Sequence, residues 1–247
     1  YNENGFVIFK NGITENLILR IHQDIEQLLF EKFPEYKKLF SNENVNLRIP
    51  KLLSKAEGDN PELFYKLCVD CTKLASFSMI GISEDFRELL LYLLENDPKK
   101  VFTFGSNGIF LNKKNVTRLK YEWHQEKSYY PNHNFGIHIW FPLFNSIQKT
   151  GGPMLIKKNT HYKDFDYERI VKDKTLEQRK ISEKKLTEYE VFECNLDLGD
   201  VIIFDHRVVH CTADVISEEI PRISGIKRYV AIWFKIDEDQ YLTIEVI

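Results

Sequence analysis

The chain has 247 residues, of which 43% are hydrophobic and 13% aromatic, enough to bury a full core as a single domain, 1–247. Its formal charge of −3 and pI near 6.2 leave no electrostatic footprint for nucleic acid. No apolar run reaches the ~18 residues of a membrane span, and four cysteines in a chain this long make no disulfide framework, so a cytoplasmic setting is expected.

The first hundred residues read as mostly helical. Asn2 to Phe9 resembles a short strand that turns at Asn11-Gly12. Thr14 then caps a helix to about Lys32, with Leu17, Ile18, Ile21, Ile25, Leu28 and Leu29 on its buried face. Pro34 and the polar stretch Ser41 to Asn46 end that element. A second helix is expected from Pro61 to Ile80 and a third from Ser83 to Glu95. Cys68 and Cys71 have the spacing of half a zinc site, but no second pair follows. Both fall on the apolar stripe of the second helix and read as core.

From Val101 the pattern changes to short apolar runs broken by turn residues: 101–111, 135–143, 153–156, 189–196, 200–204 and 229–236, with a last edge at 241–247. Many short strands favour a β-sandwich or jelly roll, with the helices packed outside it. The segment 161–190 differs, since sixteen of its thirty residues are charged, eight of each sign. It reads as a solvated helical excursion, or more sharply as a lid over a site.

The chemistry concentrates at Trp123-His124-Gln125-Glu126. On an extended backbone, side chains two residues apart share a face, so His124 and Glu126 converge while Gln125 points away. A second imidazole would complete two histidines and a carboxylate, the facial triad of non-haem Fe(II) oxygenases. His210, which follows the apolar strand Asp200 to Phe204, is a candidate to supply it. His206, four residues earlier, competes by spacing alone. His133, His138 and His161 have no such context and read as surface or hydrogen-bonded residues.

In order, Trp123-His124-Gln125-Glu126, Gly151-Gly152-Pro153-Met154, Thr160-His161, Gly199-Asp200 to Phe204, His210 and Arg228 resemble the phytanoyl-CoA dioxygenase-like Fe(II)/2-oxoglutarate oxygenases, over roughly residues 100–236. The family's usual carboxylate is Asp, where this chain has Glu126, one methylene longer but still a hard oxygen ligand. The resemblance implies a double-stranded β-helix (jelly roll, cupin-like). It also implies Fe(II) held by His124, Glu126 and His210, with 2-oxoglutarate and dioxygen as co-substrates. The far carboxylate of the oxo acid needs a cation. Arg228, entering a core strand, is expected to supply it, with Arg222 in a Pro-containing polar loop as competitor nearer the family's spacing. Thr212 shares the face of His210, and Asn112 resembles an upstream co-substrate contact. Tyr129 and Trp140, with Trp123 and Tyr130, are candidates to line a substrate pocket. The reaction implied is hydroxylation of a small molecule. Halogenation is disfavoured because Glu126 takes the position a halide would need. The alternatives are a jelly-roll binding protein without turnover and a cupin-type metal-dependent isomerase or hydrolase. Neither needs an arginine clamp for 2-oxoglutarate.

Overall fold

The computed structural model describes residues 1–80, 88, 92–93, 100–104, 107–131, 136–173, 176–236 and 242–245. Strand β1 (Phe6–Phe9) leads through Asn11, at φ 52°, into helix α1 (Glu15–Lys32). Thr14 caps that helix as expected, its side chain accepting from the Leu17 N–H at 3.4 Å. Helix α2 (Val45–Asp59) follows, where the sequence suggested only the end of an element. Pro50 hides it, since proline cannot donate to the carbonyl four residues back. That carbonyl, of Asn46, accepts instead from the Asn145 side-chain amide at 2.7 Å. The expected second helix is two helices, α3 (Pro61–Cys71) and α4 (Ala75–Met79). The expected third helix falls mostly outside the described residues.

The run from Val101 is also two strands, β2 (Lys100–Phe104) and β3 (Gly108–Asn112). The rest are β4 (Gly136–Pro142), β5 (Met154–Lys157), β6 (Glu168–Asp173), β7 (Leu176–Lys180), β8 (Val191–Cys194), β9 (Val201–Asp205), β10 (His210–Thr212), β11 (Arg222–Ile236) and β12 (Leu242–Glu245). A major sheet runs β1-β9-β4-β11-β12, with β2 and β3 also paired to β11, and a minor sheet runs β10-β5-β8. The described pairings in both are antiparallel. This is the mainly β, jelly-roll architecture with flanking helices that the sequence implied.

Alternation along the strands builds two cores. Ile137, Ile139, Phe141, Val201, Ile203 and Ile223 face the helices, packing with Ile21, Ile25, Leu29, Leu52 and Leu67. Trp140, Ile202, Phe204 and Ile226 face inward, onto Met154, Ile156 and Cys194 of the minor sheet. Each such fully buried aliphatic contributes about 1.5–3 kcal/mol. Lys227, on the helical face of β11, is fully buried; its ammonium donates to the carbonyls of Ser78 at 2.9 Å and Ile80 at 2.5 Å, tying the end of α4 to the sheet. Cys68 and Cys71 lie in the helical core as free thiols.

The charged segment is not helical apart from a 3-10 turn at Glu183–Lys185. Its centre is a β6–β7 hairpin. A few uncharged residues dock it: Gln178, fully buried, and Ile181 and Leu186, which pack on Val209, Trp123 and Phe165. The hairpin lies along the segment leading to His124, with Ile181 N–H donating to Trp123 O at 2.7 Å. Among the described residues no helix is long and apolar enough to cross a membrane.

Candidate metal centre and adjoining cleft

Backbone pairing brings the two imidazoles together. His124 and His210 form an isolated antiparallel bridge, each donating its N–H to the other's carbonyl at 2.9 Å. Gln125 is extended, at φ −114° and ψ 137°, so Glu126 returns to the His124 face before the chain enters a 3-10 turn. Gln125 points the other way, accepting from Phe165 N–H at 3.0 Å and donating to Lys163 O at 2.9 Å.

The candidate ligand atoms of His124, Glu126 and His210 all lie within 4.8 Å of one another, and the three side chains are buried. Among the described residues this is the only such group. Each imidazole has its Nδ1 within hydrogen-bond reach of the carbonyl two residues earlier, Glu122 at 2.7 Å and Val208 at 2.9 Å. With Nδ1 donating, both Nε2 lone pairs face inward, and both nitrogens lie 3.8 Å from Oε1 of Glu126. Cis ligands at ~2.1 Å bonds sit roughly 3 Å apart, so side-chain shifts of under ~1 Å would close the trio on one ion. Burial alone would raise the Glu126 pKa. The Arg228 guanidinium beside it instead holds it well below the usual carboxylate range. Burial, and then the neighbouring His124, lower that of His210. The donor set, a carboxylate held anionic between imidazoles free at Nε2, suits a divalent metal.

His206 does not compete. The chain turns at residues 205–208, with Val208 N–H donating to Asp205 O at 3.0 Å, so 206 and 210 share no strand. His138 departs from its expected surface or hydrogen-bonded role. It is fully buried inside the barrel beside Phe204, neither ring nitrogen has a hydrogen-bond partner among the described residues, and burial pushes its pKa well below the ordinary value. His161 does make a hydrogen bond, with Nε2 3.1 Å from Asn2 O. His133 lies outside the described residues.

A cleft of about 440 Å³, partly open to solvent, adjoins the two histidines. Thr212, Trp140, Arg222, Ser224 and Arg228 line it, with Tyr121 and Met154. The arginines stand differently from expectation. Arg222 is in no loop; it opens β11, paired with Asn112 of β3. The polar look of Arg222-Ile223-Ser224-Gly225 comes from residues whose alternate side chains face the cleft. Arg222 is 4% exposed and donates to Gly152 O at 2.8 Å and to the Asn112 side-chain oxygen. Burial pushes its pKa down to about 10, and its guanidinium lies 5.6 Å over the Trp140 ring. The Gly151-Gly152 turn makes room for it. Both residues have positive φ, 70° and 68°, and a Cβ on Gly152 would sit 3.3 Å from Arg222 Cδ. Arg222 Nε and Ser224 Oγ are buried with no hydrogen-bond partner among the described residues. Sequence reasoning passed over Ser224, although it shares the Arg222 face once β11 is begun at residue 222. Arg228 instead grips Glu126, with Nε 2.9 Å from Oε2 and Nη2 3.2 Å from Oε1.

Tyr129 stands outside this cleft, its ring edge-on to His124 at 5.8 Å and its hydroxyl accepting from Arg179 N–H at 3.0 Å. Gly199, at φ 99°, and Asp200 form a turn rather than a site. The Asp200 carboxylate accepts from Asp197 N–H at 2.9 Å, Asn11 N–H at 3.1 Å and the Lys10 ammonium at 2.6 Å.

No curated protein matches this chain in sequence. Among solved structures it is similar to the epimerase SnoN in complex with Fe3+, alpha ketoglutarate and nogalamycin RO (TM-score 0.57, 12% identity, 94% of this chain and 82% of that one). It is also similar to EvdO2 from Micromonospora carbonacea var. aurantiaca complexed with 2-oxoglutarate (0.54, 14%, 96% and 91%). A third is EctD from S. alaskensis with 2-oxoglutarate and 5-hydroxyectoine (0.54, 11%, 92% and 72%). At these identities the likeness is one of fold. The family is shown by sequence: the profile of phytanoyl-CoA dioxygenase (PhyH) matches residues 1–224, nearly the whole chain, and the protein belongs to that family.

Proposed function

We propose that the protein is an Fe(II)- and 2-oxoglutarate-dependent dioxygenase that hydroxylates a small molecule. His124, Glu126 and His210 hold the iron, which when bound supplies the oxidising power, with dioxygen and 2-oxoglutarate as co-substrates. The observation that carries the reading is the pairing of that trio with an orphaned cation. In one cleft, Arg222 Nε and Ser224 Oγ are buried donors without a partner among the described residues. Leaving such donors unmatched costs about 1–3 kcal/mol each, and a carboxylate satisfies both. We therefore assign the far carboxylate of 2-oxoglutarate to Arg222 rather than to Arg228, whose fork is engaged by Glu126. Asn112 orients the Arg222 guanidinium, Thr212 adds a hydroxyl beside His210, and Trp140 forms the floor under the arginine. Tyr129 is left to face substrate on the other side of His124.

A buried clamp of this kind favours the oxygenase over a binding protein or a cupin-type isomerase or hydrolase. The neighbours include an epimerase of the same cofactor set, so product analysis decides the outcome on carbon. The test is anaerobic loading with Fe(II) and 2-oxoglutarate, then exposure to oxygen and measurement of succinate. Oxygen-dependent succinate formation that is lost in His210→Ala is expected. No succinate from metal-loaded protein, with or without a panel of small molecules, would refute the reading.

A further inference from the structure

The family profile ends at residue 224, so Arg228 lies beyond what the match describes. Its two contacts with Glu126 are unequal in a telling way. The shorter, 2.9 Å, goes to Oε2, while Oε1 is the oxygen placed 3.8 Å from Nε2 of both histidines. Oε1 thus faces the imidazoles and takes only the longer arginine contact, 3.2 Å from Nη2, while Oε2 is held by the shorter one. Glu126 is buried, at 5% exposure, and Arg228 is largely so, at 12%; the arginine is anchored on a strand paired to β4 through His138. Its own N–H donates to Asn107 Oδ1 at 3.2 Å.

Resting on the reading of a metal at this trio, we propose that Arg228 is a positioning residue that makes Glu126 a one-oxygen ligand. Glutamate has one more rotatable bond than aspartate, and an untethered carboxylate can swing or chelate with both oxygens. A chelating Glu126 would take one of the three positions that a bidentate oxo acid and dioxygen need. The guanidinium fork blocks this by occupying Oε2 and fixing the plane of the carboxylate. Its rigid planar donors do this where an ammonium would not. The longer ligand and its tether form a matched pair.

The test is titration of metal-free protein with Mn(II), followed calorimetrically, for wild type, Arg228→Met, Glu126→Ala and the double variant. Loss of a group that orients a metal ligand weakens metal binding by about 10- to 100-fold, and that loss is expected for Arg228→Met. In the Glu126→Ala background the same substitution should leave Mn(II) affinity unchanged, because the arginine acts only through that carboxylate. A merely structural arginine would lower the melting temperature in both backgrounds and spare metal affinity. Unchanged affinity in folded Arg228→Met, or an equal loss in the Glu126→Ala background, overturns the inference. Should Arg228→Met fail to fold, Arg228→Lys decides: it keeps the charge without the fork, so weakened Mn(II) binding supports the inference and wild-type affinity refutes it. A wild-type protein that binds no divalent metal overturns the underlying metal reading, and this inference with it.

Discussion

Replacing Arg222 separates the two arginines most directly. In the folded protein its guanidinium is almost wholly buried, with two donors on Gly152 O and Asn112 and Nε unmatched. Burial pushes its pKa to about 10, so it is cationic at neutral pH. Truncating one partner of a buried charge pair costs about 2–5 kcal/mol, and about 3 kcal/mol corresponds to roughly 150-fold in Kd. Arg222→Met should therefore weaken 2-oxoglutarate binding by about two orders of magnitude at saturating Mn(II), with metal affinity unchanged. Arg222→Lys should fall between, since it keeps the charge but cannot serve Gly152 O, Asn112 and the ligand from one plane. The assay is calorimetric titration of 2-oxoglutarate into anaerobic, Mn(II)-saturated protein. Arg228→Met under the same saturation should retain most of its 2-oxoglutarate affinity. If Arg222→Met binds 2-oxoglutarate as wild type does while Arg228→Met loses it, the assignment of the two arginines is reversed and the reasoning fails.

Three further outcomes follow from buried groups elsewhere. Burial raises the Asp205 carboxyl to about 6 from its ordinary 3.8, so the folded state binds more protons than the unfolded between those values. Stability should fall as pH rises from about 4 to 6, and Asp205→Asn should flatten that slope in urea unfolding by an amount on the order of 2 kcal/mol. Asn145→Ala should cost about 1–3 kcal/mol in the same assay, because the Asn46 carbonyl left by Pro50 would lose its donor. Burial pushes the Cys68 and Cys211 thiols up to about 12 and those of Cys71 and Cys194 higher still, so none is a thiolate at pH 7. Alkylation of the native protein by iodoacetamide should be slow at all four and become fast only on unfolding.

The grouping of His124 and Glu126 was legible because they obey a local rule, side chains two apart on an extended chain, whereas only the family resemblance set His210 above His206. The arginine assignment proposed above was not legible. Arg222 and Arg228 lie six residues apart on one face of β11, so periodicity treats them alike. What separates them is Glu126, an ion pair across a hundred residues of sequence. Helix α2 was masked by Pro50, whose cost is met by a side chain far along the chain. The charged segment misled because charge counts average over residues, while a few buried ones among them, Gln178, Ile181 and Leu186, help to dock the hairpin. His138 was unremarkable in sequence because nothing local marks a histidine whose neighbours, Phe204 and His206, come from far along the chain.

The mutual pairing of the His124 and His210 peptide groups has a consequence for how the centre is loaded. The spacing of the imidazoles is set by the main chain, so an arriving ion meets a seat already assembled and has little ordering of the polypeptide to drive. Metal uptake should therefore be quick and silent in circular dichroism, unlike metals whose binding is itself a folding event. Its mark should be local: the ion would act as a second rivet across a joint between distant stretches of chain. The His124 and His210 amides would then exchange with solvent more slowly in the loaded protein, and return to their faster exchange when a chelator strips the ion away.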